Sequence, residues 1–192
     1  HGSEFTLASV IRMQLEQHAD AIRDMSGNAS KELAIEQSLQ AIEETWKTLD
    51  LDMVPYKDEK EQIFKLRSTE DLFTALEDNT VTLSTMKASK FFMVFEKQIT
   101  QWEKSLSLVS ETIEVVLQVQ RNWMYLENIF IGSDSIHREL PQESAMFEAV
   151  HFNFIAKMKE IHDINNALKA ALAPGMLRSE EHTSELQSPL DI

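Results

Sequence analysis

The positions Ile11, Leu15, His18, Ile22, Met25 and Ala29 follow one another in steps of four and three, the spacing that brings residues onto one face of an α-helix. A helix with one buried stripe is predicted. Gly27-Asn28 interrupts the pattern, and Ile35, Leu39, Ile42, Trp46 and Leu49 resume it in a shifted phase, so a kink or short break is expected near Gly27. Over residues 49–67 the period falls to two. Leu49, Leu51 and Met53 alternate with Asp50 and Asp52, Val54-Pro55-Tyr56 follows, and the charged run KDEKE separates these from Ile63-Phe64-Lys65-Leu66. Alternation around a polar turn predicts a small β-hairpin, with Pro55 at an edge or an end because it has no N–H to donate.

Ser68 with Asp71 three residues later has the spacing of a capping box, opening a helix that carries Leu72, Leu76 and Leu83. Between Ser89 and Ile131 there is neither Gly nor Pro, and Phe95, Ile99, Trp102, Leu106, Val109, Ile113 and Val116 keep the four-three alternation, continued by Trp123 and Phe130. One unbroken helix there would span on the order of 60 Å. Gln120 and Glu127 fall on the same seam, and Leu108, Val115, Val119, Leu126 and Ile129 form a second apolar face. Two apolar faces predict cover on more than one side of the helix, and argue against a two-stranded coiled coil, whose outer surface is polar. Gly132 should end the run. Pro141, at a first-turn position, should begin a last helix through Phe147, Val150, Phe154, Met158 and Ile161 that stops before Pro174-Gly175.

Composition agrees with the periodicity. The 192 residues are 43% apolar, with 4 Gly and 4 Pro, enough for a sizeable core and biased toward helix. The expected class is mainly α, an elongated stack of long helices with one small β-hairpin around residues 49–67. Trp46, Tyr56, Phe95, Trp102, Trp123, Tyr125, Leu126 and Phe130 are its expected core anchors. The formal charge of −14 argues against nucleic acid, whose backbone is bound by displacing counterions with lysine and arginine. There is no cysteine, hence no disulfide framework and no thiolate nucleophile. No apolar run approaches the ~20 residues of a membrane-spanning helix, and the N-terminus has no basic region followed by an apolar one, so a soluble, unsecreted protein is expected.

Candidate chemistry is sparse. Glu148 and His151 stand one turn apart, as each half of a di-metal bundle site requires, but the pair has no second copy and reads as half-exposed residues on a helix face. His18 reads as a partly buried spacer, and KDEKE as a solvated turn. Neither G-x-x-x-x-G-K-S/T nor G-x-S-x-G occurs, so neither a phosphate-cradling loop nor a serine nucleophile on a strained turn is expected. No catalytic, cofactor-binding or metal-ligating residue is therefore assigned. RSEEHTSELQS, residues 178–188, lacks an apolar period and matches the translation of a common sequencing-library adapter. Residues 178–192 are expected to be an artefactual, disordered tail on a reading frame cut from something longer.

One resemblance unites the pattern. Ala29-Ser30-Lys31-Glu32 with Ile35-Glu36 and Trp46, Val54-Pro55-Tyr56, Leu76-Glu77-Asp78, Phe95 with Trp102-Glu103, and above all the string V-Q-x-x-W-x-Y-L-E-x-I-F from Val119 to Phe130 stand in order. Leu140-Pro141, Phe147 and Pro174-Gly175-Met176-Leu177 continue the series. Over residues 5–177 the sequence resembles the N-terminal linker region of dynein heavy chains, the axonemal members especially, so 1–177 reads as a partial linker domain. Lys90, where the family usually has proline, and Phe154, where it has tryptophan, leave the subclass of heavy chain open. The resemblance implies a rod-like helical stack lying across a ring of AAA+ ATPase modules, bending and straightening as the ring hydrolyses ATP to move along microtubules. It implies no ATPase site in this stretch, with ATP and Mg bound elsewhere in the full-length parent. The implied partners are the AAA+ ring and remaining linker of the same heavy chain, with dynein subunits and microtubules reached through the parent. The implied location is cytoplasmic, in a ciliary or flagellar axoneme. The breaks near Gly27 and Gly132 are candidate hinges. A free-standing helical adaptor or dimerisation module is the rival reading, and a metal-dependent helical bundle a third.

Overall fold

The computed structural model describes Leu7, Ser9, residues 18–57 and residues 62–176. The tail at 178–192, Ile11 and Leu15, and all of KDEKE but Lys57 lie outside the described residues. The chain is mainly α-helical with a single two-stranded antiparallel hairpin. Helix α1 (Ala19–Thr48) leads into β1 (Asp52–Pro55) and β2 (Phe64–Ser68). Then come α2 (Glu70–Lys87), α3 (Phe92–Phe130), the short α4 (Asp134–Glu139), α5 (Pro141–Ile164) and α6 (Ala167–Ala171).

Helix α1 passes through Gly27 without the expected break. One glycine costs a helix about 1 kcal/mol, which good helix formers on either side offset. The expected buried stripe is present only in the second half of α1, where Ile35, Leu39, Ile42 and Trp46 are buried. His18, Ile22, Met25 and Ala29 are exposed. Periodicity specifies which residues share a face; it does not supply an element to cover it.

In the hairpin Met53 pairs with Leu66, Val54 with Lys65 and Pro55 with Phe64, with a bulge between Asp52 and Met53. Pro55 ends its strand, as its missing donor requires. The capping box does not form. Helix α2 starts beyond Thr69, so Ser68 stands one residue too early and its Oγ accepts from the Glu70 N–H at 3.3 Å.

The spine is α3. Its 39 residues reach about 58 Å at the α-helical rise, and Ile99, Trp102, Leu106, Val109, Ile113 and Trp123 bury one stripe along it. Leu83 and Met86 of α2 join that core, with a Lys87–Glu103 ion pair at 2.9 Å outside it. The second apolar face is only partly covered by the described residues. Val115 and Val119 are exposed, and Leu108, Leu126 and Ile129 only partly buried. Helix α3 ends at Gly132, whose φ of +91° suits glycine after a C-cap, and His137 Nε2 lies 3.0 Å from the Phe130 carbonyl oxygen. Helix α4, unanticipated from the sequence, is capped by Ser133, whose Oγ accepts from the Ile136 N–H at 3.4 Å. Pro141 occupies the first turn of α5, on which Val150 is exposed. Asn165, at a φ of +59°, then separates α5 from α6.

Of the expected anchors, Trp46, Tyr56, Trp102 and Trp123 are buried, and Phe95, Leu126 and Phe130 are partly buried against them. Tyr125 is the exception at 69% exposure. Two helical positions after Trp123, it is turned by about 200° to the opposite side of α3.

Substitutions at the two glycines separate their roles. Gly27 is exposed within a helix and an added Cβ meets nothing within 4 Å, so Gly27→Ala should raise stability by about 0.5–1 kcal/mol. Gly132→Ala, forced into a positive φ, should lower it by about 1 kcal/mol. Urea unfolding of the two variants checks both signs.

Candidate functional site

Gln120, Trp123 and Glu127 recur at steps of three and four along α3, so their side chains line one face. The hairpin is held against that face. Gln120 Oε1 accepts from the Leu66 N–H at 2.8 Å, and its Nε2 donates to the Leu66 carbonyl at 3.0 Å. A side-chain amide thus stands where a third strand would pair with β2. The other side of the hairpin offers little to pair with, since the Met53 N–H donates to Leu51 at 2.9 Å and Pro55 has no N–H. Both edges are blunted.

One helical turn beyond Trp123, Glu127 is the second point of attachment. Its side chain, 8% exposed, accepts from the Tyr56 hydroxyl at 3.2 Å and from Lys57 Nζ at 2.6 Å. A carboxylate so placed must have such partners, because burying it unpaired is very unfavourable. Lys57 is therefore more than part of a solvated turn. It holds a φ of +60°, a conformation uncommon for a residue with a side chain, and its ammonium also lies 5.2 Å from the Tyr56 ring centre. Burial, then the negative charge of Glu127, pushes the Tyr56 hydroxyl pKa above its ordinary value. The hydrogen bond to Glu127 raises that of Lys57.

Trp123 joins the hairpin to α5. Tyr56 meets it edge-on at 5.2 Å, while Phe154 stacks on it at 4.2 Å and His151 at 5.6 Å. Its Nε1–H donates to His151 Nδ1 at 3.3 Å, which leaves the imidazole proton on Nε2. His151 is thereby a packing partner of Trp123, and Glu148 is exposed. Among the described residues no three of His, Asp and Glu are grouped as a metal would need. A further stack, Phe64 on His162 at 3.7 Å, fastens β2 to the far end of α5.

A second joint, centred on Asn166, ties the end of α1 to the start of α6. Asn166 Nδ2 donates to the carbonyls of Trp46, Lys47 and Leu49 at 3.0, 3.3 and 3.1 Å, and its Oδ1 accepts from the Lys169 N–H at 3.1 Å. The Leu51 N–H to Asn165 carbonyl and Ala167 N–H to Leu49 carbonyl bonds, at 2.8 and 2.9 Å, complete it. One side chain so satisfies the orphan carbonyls of one helix and caps another. Asn166 is absent from the residues singled out by periodicity, although an Asn before an Ala- and Leu-rich turn is an N-cap signal. What these two joints can do is hold elements in fixed relation.

Gln120→Ala should cost about 1–3 kcal/mol by leaving the Leu66 N–H and carbonyl without partners, with faster hydrogen exchange at Leu66 as the direct readout. The Tyr56–Lys57–Glu127 group should respond to alkali. Both raised pKa values mean that its stability is fully present below about pH 10 and is lost as pH rises through the raised values. Denaturation at neutral and strongly alkaline pH should show a smaller alkaline loss in Glu127→Gln than in the parent.

A family model described as "Dynein heavy chain, N-terminal region 2" matches residues 1–190. Over 179 residues the protein is 59% identical to the dynein-1-beta heavy chain of the flagellar inner arm I1 complex of Chlamydomonas reinhardtii, an alignment that takes in 93% of its length and 4% of the relative's. It is 51% identical to dynein axonemal heavy chain 2 of Mus musculus over 175 residues, 91% of its length and 4% of the relative's. Against the Homo sapiens heavy chain 2 it is 48% identical over 192 residues, the corresponding shares being 98% and 4%. The sequence thus spans about 4% of the length of these relatives. The heptad seam, its two buried polar residues and the aromatic joint between them are parts of a dynein heavy chain: this chain belongs to that family, within its N-terminal region 2.

Proposed function

We propose that this stretch is part of the mechanical linker of an axonemal dynein heavy chain. In the full-length motor the linker spans the AAA+ ring and converts ATP-driven changes of the ring into movement along microtubules. The observation that carries the reading is the bracing of α3. A helix about 58 Å long is held by the hairpin through Gln120 and Glu127 and by α5 through Trp123, so it resists bending where an isolated helix would flex. The stretch is a transmission part and not a motor by itself. This sequence contains no phosphate-binding loop, and ATP and Mg belong to the AAA+ modules of the parent. Its partners are that ring and the remaining linker of the same heavy chain. The flagellar and axonemal names of the relatives support a place in a cilium or flagellum. Gly132, at a positive φ just beyond the end of α3, is a position at which a hinge would deform few helical hydrogen bonds.

Trp123→Ala should destabilise the stretch by about 3–5 kcal/mol. Placed in an intact heavy chain together with Gln120→Ala, it should slow microtubule gliding several-fold while ATP turnover stays close to that of the parent motor. Unchanged gliding, despite a loosened hairpin shown by hydrogen exchange, would overturn the lever reading.

A further inference from the structure

Helix α1 is 30 residues long, about 45 Å at the α-helical rise, and only its second half buries a stripe. Small tilts at its held end are therefore amplified: about 10° there carries the far end through about 8 Å. The side of α1 rests on α2, and apolar contact is non-directional, so it sets no angle by itself. Directional bonds do. They are concentrated at Asn166, whose Nδ2 faces three carbonyls at the end of α1 and whose backbone forms an isolated β-bridge with Asp50.

Asn166 also begins α6, which is a wedge between the two long helices. Ala167, Leu168, Ala170 and Ala171 of this helix are buried, and it touches both α1 and α3. At its far end the Ala171 carbonyl accepts from Thr112 Oγ1 of α3 at 3.5 Å. Alanine has no side-chain rotamer to change, so a wedge built on it passes a displacement on instead of absorbing it. A path of directional contacts thus runs from the last carbonyls of α1 through Asn166 and α6 to Thr112, near the middle of α3. The two ends of the Asn166 amide have separable tasks. Oδ1 caps α6 through the Lys169 N–H, which an aspartate or a serine would still do, whereas only the amide presents Nδ2 to α1.

We propose that Asn166 is a positioning residue whose amide sets the angle between α1 and α3. Its consequence for movement, that the two long helices turn as one arm, rests on the lever reading; the angle does not. The absence of cysteine allows spin labels at Lys31→Cys on α1 and Gln118→Cys on α3, both exposed, and pulsed electron paramagnetic resonance reads the distance between them. The parent should give one narrow distance. Asn166→Asp and Asn166→Ser should each broaden or displace it by about 4 Å, the travel of position 31 under a tilt of about 10°, while helical content and protection of the Lys169 amide stay parental. Phe147→Leu, which loosens the core at the Phe130 stack, should lower the melting temperature and leave the distance unchanged. A parental distance in both Asn166 variants overturns the proposal, as does an equal broadening in Phe147→Leu. Loss of helical content in both Asn166 variants also overturns it, since the residue would then hold the fold and not the angle. In an intact heavy chain carrying this stretch, Asn166→Ser should slow gliding; a loosened angle with parental gliding would strike the lever reading and leave the role of Asn166 standing.

Discussion

Gln120 and Glu127 are polar residues on the buried seam of a helix, and neither can stay there without partners. An amide or carboxylate withdrawn from water is unfavourable until its hydrogen-bonding capacity is met, and the hairpin is what meets it. Leu66 supplies a donor and an acceptor to the amide, and Tyr56 with Lys57 supplies two donors to the carboxylate. Apolar packing alone would let β1 and β2 slide along α3. These bonds select one register, with Trp123 set between them.

The same economy of means recurs at the other joint. Helix ends leave four carbonyls or four N–H groups unpaired, and α1 and α6 bring such ends together. Asn166 bonds to both sets with one side chain. Trp46, fully buried beside it, adds the apolar area that holds the two ends in contact. Stiffness along the spine and fixed docking at its ends thus come from two small polar constellations embedded in ordinary helix packing.

How far this is legible in the sequence depends on the range of each interaction. The hairpin, the long α3 and the Pro141 helix start follow from period, breaker and capping signals, which act over a few residues. Gln120 and Glu127 are visible as polar breaks in an apolar seam, but their partners lie 54 and 71 residues away in Leu66 and Tyr56, a distance periodicity does not reach. Tyr125 defies the core expectation because membership of an aromatic string says nothing about helical phase; two steps of rotation turn it outward. Gly27 fails to break its helix because a breaker acts on a balance, and α1 has helix formers enough to outweigh it. The stripe of Ile22 and Met25, like that of Val115 and Val119, shows the remaining gap: an amphipathic pattern announces that a face exists before any neighbour is present to meet it.

The closing of both hairpin edges reaches beyond the single molecule. Two strands standing apart from a larger sheet would ordinarily template a third from a neighbouring molecule. Here the Gln120 amide occupies the outward groups of Leu66, and Pro55 presents no donor on the opposite flank. Backbone recruitment through Leu66 and Pro55 is thus disfavoured, which shifts contact between crowded copies of this segment toward side chains, where it can be selective and reversible.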